Sequence, residues 1–283
     1  MKNVALACLI VPVFLLLSCS SLAIRAQSDI HSVDFKNFTY SAYCAGDQPE
    51  KISVKNGEYS KETQMDGYVD RIYFNVFGIS YGDLNGDGSD EAVILSVCNT
   101  GGTGNFSEGY IYSQKAGKPF LLTHIPGGDR AYGGLRSAKV ENGILIVDSN
   151  DPGENGGNCC PELAVTNHYR LVAGKLVVQG KPVRRELFPT ERVNFTKGTS
   201  GSTFDATIPV EEGKRYIVGA RGGQVLRVST NSDKVSLRLL DDAAVTEGVD
   251  GFSVKLPRNG DYTFEIQNNA ENEIKITVNV KIQ

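Results

Sequence analysis

Ile274-Lys275-Ile276-Thr277-Val278-Asn279-Val280 alternates apolar and polar side chains without a break. In an extended chain successive side chains point to opposite faces, so this stretch sets one apolar face on a core and one polar face in water. The same period recurs upstream in Phe252/Val254/Leu256, Tyr262/Phe264/Ile266 and Val235/Leu237/Leu239, and more briefly in Tyr216/Val218 and Val225/Arg227. Asn259-Gly260-Asp261 supplies a turn into Tyr262. About seven short strands with turns every ~8–12 residues predict an antiparallel two-sheet sandwich over residues 189–283.

Residues 27–188 carry a related texture. Ile72 to Val76, Ala92 to Val97, Gly109 to Tyr112, Ile144 to Val147 and Lys175 to Val178 are short runs rich in Val, Ile, Tyr or Phe, separated by Gly, Asn and Asp. That is strand composition. Asn142-Gly143 between Val140 and Ile144 marks a two-residue hairpin, and Ala173-Gly174 marks a weaker one. No window holds an apolar stripe at helical spacing, so helices are expected to be few. The segment Lys181 to Arg192, with two prolines and little apolar content, reads as the boundary between two β domains. The predicted class is all-β: an N-terminal antiparallel domain followed by a sandwich. The 283 residues suit two domains at ~150 residues each.

Residues 1–26 read as an export signal. Lys2 is the only charge before Arg25, and Val4 to Leu17 is an apolar run shorter than the ~20 residues of a membrane helix. Leu16-Leu17-Ser18-Cys19 resembles a lipobox that would lipidate Cys19, whereas Ser21-Leu22-Ala23 and Ile24-Arg25-Ala26 suit ordinary signal peptidase; both readings stand. Cleavage after Ala26 leaves 27 basic against 33 acidic residues, a net charge of −6. With no basic face, nucleic acid is not an expected partner. No second long apolar run follows, so the mature chain is expected not to span a membrane.

Export places Cys44, Cys98, Cys159 and Cys160 in an oxidising compartment, where four cysteines suggest two disulfides with three connectivities. Disulfides prefer Cα atoms ~4.4–6.8 Å apart, so adjacent cysteines are expected to point apart, one reaching Cys98 and the other Cys44.

The motif with chemistry in it is Asp83-Leu84-Asn85-Gly86-Asp87-Gly88-Ser89-Asp90-Glu91. Oxygen donors at the first, third and fifth positions, then glycine, suit Ca²⁺, a hard cation that takes ~6–8 oxygens. Asp83, Asn85 and Asp87 would give side chains, Ser89 its carbonyl, and Glu91 or Asp90 would close the cage. An EF-hand needs glutamate at the twelfth position, where Ile94 stands. A polar hairpin whose Asx side chains cap their own backbone is the alternative.

Other chemistry is sparse. His31, His124 and His168 fit no zinc spacing, and no GxSxG elbow occurs. His31, beside the signal, is expected to lie outside the ordered fold. Gly101-Gly102-Thr103-Gly104 and Gly127-Gly128 lack the following helix and lysine of a phosphate loop. Asp148, Asp151 and Glu154 form an acidic loop that a glycoside hydrolase would need at a set separation. Tyr110, Tyr112 and Tyr132, beside Asp129, Arg130 and Arg136, would present a polar-aromatic surface to a protein or glycan.

Three resemblances complete the reading. Phe195-Thr196-Lys197-Gly198, Ala220-Arg221-Gly222-Gly223-Gln224-Val225-Leu226-Arg227-Val228 and Leu256-Pro257-Arg258-Asn259-Gly260-Asp261-Tyr262 look like the bacterial pre-peptidase C-terminal domain and are similar to the periplasmic lysozyme inhibitors. This implies a jelly-roll-like sandwich of surface-binding or inhibitory function, with Gly198 to Ser202 as the counterpart of the inhibitory loop. Gly82 to Gly88 resembles the calcium loop of FG-GAP propeller repeats, once only, so a propeller is not implied. The wider N-terminal half, with Asn158-Cys159-Cys160-Pro161-Glu162, looks like bacterial envelope proteins, lipoproteins among them. The expected function is that of an exported, non-enzymatic envelope protein with a calcium loop; the rivals are an inhibitor of a lysozyme or peptidase, and a carboxylate-based hydrolase.

Overall fold

A computed structural model describes residues 29–44, 46–154, 156–248 and 251–283. The export signal, Cys19 included, lies outside the described residues. Within them the chain is all-β, with 21 strands and one 3-10 turn at Ile30–Ser32.

The N-terminal half has three layers. A small hairpin, β1 (Thr39–Ala42) and β2 (Glu50–Ser53), covers one face of an antiparallel sheet made in chain order by β3 (Glu58–Met65), β4 (Tyr68–Gly82), β5 (Glu91–Asn99), β6 (Phe106–Lys115) and β7 (Lys118–Ile125). The other face meets a second sheet: β8 (Leu135–Glu141), β9 (Ile144–Asp151) and β10 (Leu163–Val172), with β11 (Lys175–Val178) and β12 (Val183–Glu186) both pairing β10. β5 lies between both layers. Its Ala92, Ile94 and Cys98 pack on Tyr40, Ile52 and Tyr110, while Val93 and Leu95 pack on Leu135, Leu145 and Val147. Burial on two faces is why this strand is a continuous apolar run and does not alternate. The Asn142-Gly143 and Ala173-Gly174 turns form as expected, with both residues of each in positive φ.

The C-terminal part is a two-sheet sandwich. One sheet runs β13 (Thr190–Arg192), β15 (Gly213–Ala220), β20 (Gly260–Asn268) and β17 (Val235–Leu239); the other runs β14 (Gly201–Ile208), β21 (Ile274–Ile282), β16 (Val225–Thr230), β19 (Gly251–Lys255) and β18 (Val245–Gly248). The alternating residues meet in one core of Tyr216, Val218, Phe252, Phe264, Ile266, Ile276, Val278 and Val280. One pairing departs from the antiparallel expectation: β13 runs parallel to β15. β13 enters from the other half of the chain, so no hairpin constrains its direction.

The charged segment 181–192 is built into the structure. β12 pairs β10, and Leu187 is fully buried, its N–H donating to the Glu162 carbonyl. Glu212, 5% exposed, accepts two bonds from Arg185, 2.7 and 2.6 Å, and one from Arg136, 3.3 Å. Arg215 donates to Glu162 at 2.7 and 2.9 Å and to Glu265 at 2.9 Å, and its guanidinium lies 5.0 Å from the Phe188 ring centre. The carboxylates beside Arg185 and Arg215 hold both guanidiniums above their ordinary range. Paired in this way, these charges clasp the sandwich to the sheet that carries β8 and β10.

The cysteine expectation needs correction. Cys44 bonds Cys98 across a Cα separation of 5.2 Å, and Cys159 bonds its neighbour Cys160. Cys44 follows β1, which lies over β5 and its Cys98. The loop carrying Cys159 and Cys160 joins β9 to β10, in the layer on the opposite side of the five-stranded sheet.

Candidate functional site

One place follows from the sequence motifs and a second from the fold. The first is the turn between β4 and β5. Its Asx side chains wrap their own backbone: Asp83 accepts from the N–H groups of Gly86 and Gly88 at 2.7 and 2.9 Å, Asn85 from Asp87 at 2.8 Å, and Asp87 from Ser89 at 2.8 Å. Gly86 and Gly88 take positive φ, which these reversals require. Glu91 sits inside: fully buried, it accepts from the Leu84 N–H at 2.9 Å and from the Asn85 amide at 2.7 Å. Burial raises its carboxyl above the ordinary range. Asp90 turns the other way, to His31 Nε2 at 2.9 Å.

For a calcium ion, Asp83, Asn85 and Asp87 fit in part. Carboxylate and amide oxygens keep lone pairs beyond those given to backbone N–H groups, and the Ser89 carbonyl belongs to the same turn. Glu91 anchors the turn from beneath. Among the described residues no three acidic, histidine or cysteine side chains converge in a metal-binding group. An ion on this loop would therefore take much of its shell from water and backbone carbonyls.

His31 is placed within the fold, contrary to expectation. Its ring stacks on Tyr81 at 4.0 Å, and with Asp29, Asp87, Asp90 and Ser113 it lines a polar hollow of about 420 Å³. The signal missed in the sequence was the pairing of an N-terminal histidine with an acid 59 residues away.

The second place is the face of the five-stranded sheet that β8–β12 leave partly bare. Along β4 the side chains of Tyr73 and Phe77 are 43% and 42% exposed. Tyr73 pairs Ser60 on one side and Asn99 on the other, and Asn75 pairs Glu58 and Val97, so aromatic, amide and carboxylate groups stand in two rows. Tyr73, Asn75, Glu58 and Asn99 line a groove of about 550 Å³ together with Asn105, and Phe77 stands outside that lining. The groove wall is stiff. Asn99 Nδ2 donates to the carbonyls of Gly102 and Gly104 at 3.2 and 2.7 Å, tying up the glycine-rich loop. Asp129 accepts from the Asn105 N–H at 2.8 Å and from Asn158 Nδ2 at 3.0 Å, and this bond to Asn158 is the first cause holding its carboxyl below the ordinary range. Gly128 allows the nesting, since a Cβ there would lie 1.9 Å from the Tyr132 carbonyl oxygen.

The aromatic surface expected from Tyr110, Tyr112 and Tyr132 is not formed. Tyr110 and Tyr112 are buried on the β1–β2 side, because β6 is an inner strand covered on that face; Tyr132 alone is exposed. Arg136 points into the clasp on Glu212. In the acidic loop, Asp148 accepts from the Thr166 and Ser137 hydroxyls, Asp151 accepts from the Gly153 N–H, and Glu154 is exposed. His124 stands 3.9 Å from Glu108, and His168 lies on β10 opposite Ile146.

No protein-family model matches the chain, and no curated protein matches it significantly. Among solved structures it is similar to a periplasmic lysozyme inhibitor of g-type lysozyme from Aeromonas hydrophila, with TM-score 0.31 and 19% identity over 34% of this chain and 97% of that one. The Salmonella Typhimurium inhibitor of g-type lysozyme gives TM-score 0.29 and 22% identity over 34% and 98%. A mutant of the Escherichia coli inhibitor gives 0.29 and 19% over 34% and 99%. In the sandwich, Gly198 to Ser202 is a self-bonded turn, with Thr199 Oγ1 donating to the Thr196 carbonyl at 2.8 Å. Among the described residues no helix is long and apolar enough to cross a membrane.

Proposed function

We propose that the chain is an exported, non-enzymatic recognition protein of the bacterial envelope, and that it takes a glycan or protein partner on the bare face of its five-stranded sheet. The observation behind this reading is the groove in which Tyr73 stays more than two-fifths exposed beside Asn75 and Asn105. An exposed aromatic ring set on a rigid surface among amides and a carboxylate is the composition of a recognition site. Aromatic rings stack on sugar faces or anchor in a partner's pocket, while amides fix orientation.

The test is calorimetric titration of the full mature chain with soluble peptidoglycan fragments and with a g-type lysozyme. Binding of either, weakened at least ~10-fold by Tyr73→Ala/Asn75→Ala at unchanged melting temperature, supports the groove; a truncation of ~1.4 kcal/mol suffices for that factor. No binding to the wild type, or binding that the double variant leaves intact, overturns it. Loss of muramidase activity in the lysozyme arm, insensitive to the groove variant, would instead favour inhibition through the C-terminal sandwich. That second reading comes from the sequence likeness of 193–283 to lysozyme inhibitors.

The proposal includes a structural calcium ion on Asp83, Asn85, Asp87 and the Ser89 carbonyl. With few side-chain oxygens, the affinity belongs in the ~10⁻⁴–10⁻³ M range of extracellular modules. Calcium at ten times such a Kd is expected to stabilise the fold by about 1.4 kcal/mol, seen as a small rise in melting temperature that EDTA reverses. Asp87→Ala should abolish the response; an unchanged response in that variant rules out the loop as the site.

A further inference from the structure

The pair Cys159–Cys160 does something other than hold the fold. A disulfide stabilises mainly by shortening the unfolded chain, and the effect grows with the length of chain enclosed. Cys44–Cys98 encloses a sequence separation of 54, whereas Cys159–Cys160 has a separation of 1 and encloses essentially nothing. The two differ as sharply in access. Cys98 is 1% exposed and packs with Cys44 against the β1–β2 core, while Cys159 and Cys160 both face solvent.

Their place in the structure is equally specific. Asn158, immediately before the pair, donates to Asp129 and accepts from the Ala131 N–H at 3.2 Å, fixing the loop to the turn that holds Asn105 of the groove. Glu162, two residues after it, holds Arg215 of the C-terminal sandwich. The bonded pair thus sits on the short tether between the groove wall and the interdomain clasp.

We propose that Cys159–Cys160 is a thiol-exchangeable disulfide, a site of reversible modification whose co-reactant is a dithiol, and that its reduction loosens the tether between Asn158 and Glu162. A thiolate of the dithiol attacks one sulfur; a mixed disulfide forms as the Cys159–Cys160 bond breaks, and the second cysteine leaves as thiolate. The remaining thiol of the co-reactant then displaces the first cysteine. Two electrons and two protons pass to the protein, and the dithiol becomes a disulfide. Exchange of this kind requires that a sulfur be reachable by the attacking thiolate, which exposure supplies here and burial denies at Cys98.

The experiment uses the folded, full mature chain, exposed briefly to dithiothreitol and then alkylated with iodoacetamide before peptide mass spectrometry. The expected result is two labels, on Cys159 and Cys160, none on Cys44 or Cys98, and recovery of the unlabelled mass when the reduced protein is reoxidised with glutathione disulfide before alkylation. Labelling of all four cysteines together, absence of label on Cys159 and Cys160, or their labelling before any reductant is added would each overturn the proposal. For the tether, proteolysis of the native protein is expected to cut within 153–161 at least several-fold faster after reduction. An unchanged rate would separate exchange, which could stand, from loosening, which would fall.

Discussion

Arg215→Ala is expected to lower the melting temperature by roughly 10 °C. The guanidinium serves two carboxylates from different halves of the chain, Glu162 and Glu265, and the Glu265 side chain is only 5% exposed. Removing the guanidinium takes away the partner of Glu162 and leaves the buried Glu265 with only the largely exposed Arg238, and breaking such a buried pair costs about 3–5 kcal/mol. For a chain of this size each kcal/mol moves the midpoint by ~2–4 °C. Arg238 provides the internal control. It also meets Glu265, at 2.9 Å, but is 68% exposed, and such pairs are worth ~0–1 kcal/mol. Arg238→Ala should therefore shift the midpoint by no more than a few degrees. Differential scanning calorimetry decides it: equal shifts for the two variants would mean that Arg215 does not clasp the halves.

Cys44→Ala/Cys98→Ala is expected to cost about 4 kcal/mol, as the chain-entropy relation gives for the 54-residue separation of this bridge. The bridge fastens the end of β1 to β5, so the small hairpin and the start of the chain lose their covalent hold on the central strand. In urea the loss should appear as a lower midpoint with little fall in slope. Cys159→Ser/Cys160→Ser should leave the midpoint nearly unchanged, because that pair encloses no chain. A double alanine variant at Cys44 and Cys98 as stable as the wild type would show that packing by Tyr40, Ile52 and Phe74 suffices without the bond.

What could be read from residues alone was whatever is local. Alternation in Ile274 to Val280 foretold one face in and one out, and the unbroken run Ala92 to Val97 carried the mark of a strand covered on both sides. Asn142-Gly143 announced its hairpin because positive φ at two successive positions leaves few candidates. What escaped was long-range. Arg136, Arg185 and Glu212 look like ordinary solvated charges in a list, and only the fold brings them within hydrogen-bond reach. Tyr110 and Tyr112, set beside Asp129, Arg130 and Arg136 in the sequence reading, look like surface aromatics, yet both faces of their strand are covered. Cys159 and Cys160 were assigned distant partners from a distance preference that adjacent cysteines do not obey. Glu91 or Asp90 reads as the ligand that closes a calcium cage, and the position of Glu91 beneath the turn depends on Leu84 and Asn85 folding over it.

The central place of β5 has a further consequence. Since one layer rests on Ala92 and Ile94 and the other on Val93 and Leu95, neither can peel away without stripping the strand that serves its opposite number. A local opening therefore has no intermediate stopping point, and the first two-thirds of the chain should come apart as one cooperative block. A nick at the Asn99–Asn105 loop would then release no folded fragment, only a wounded whole.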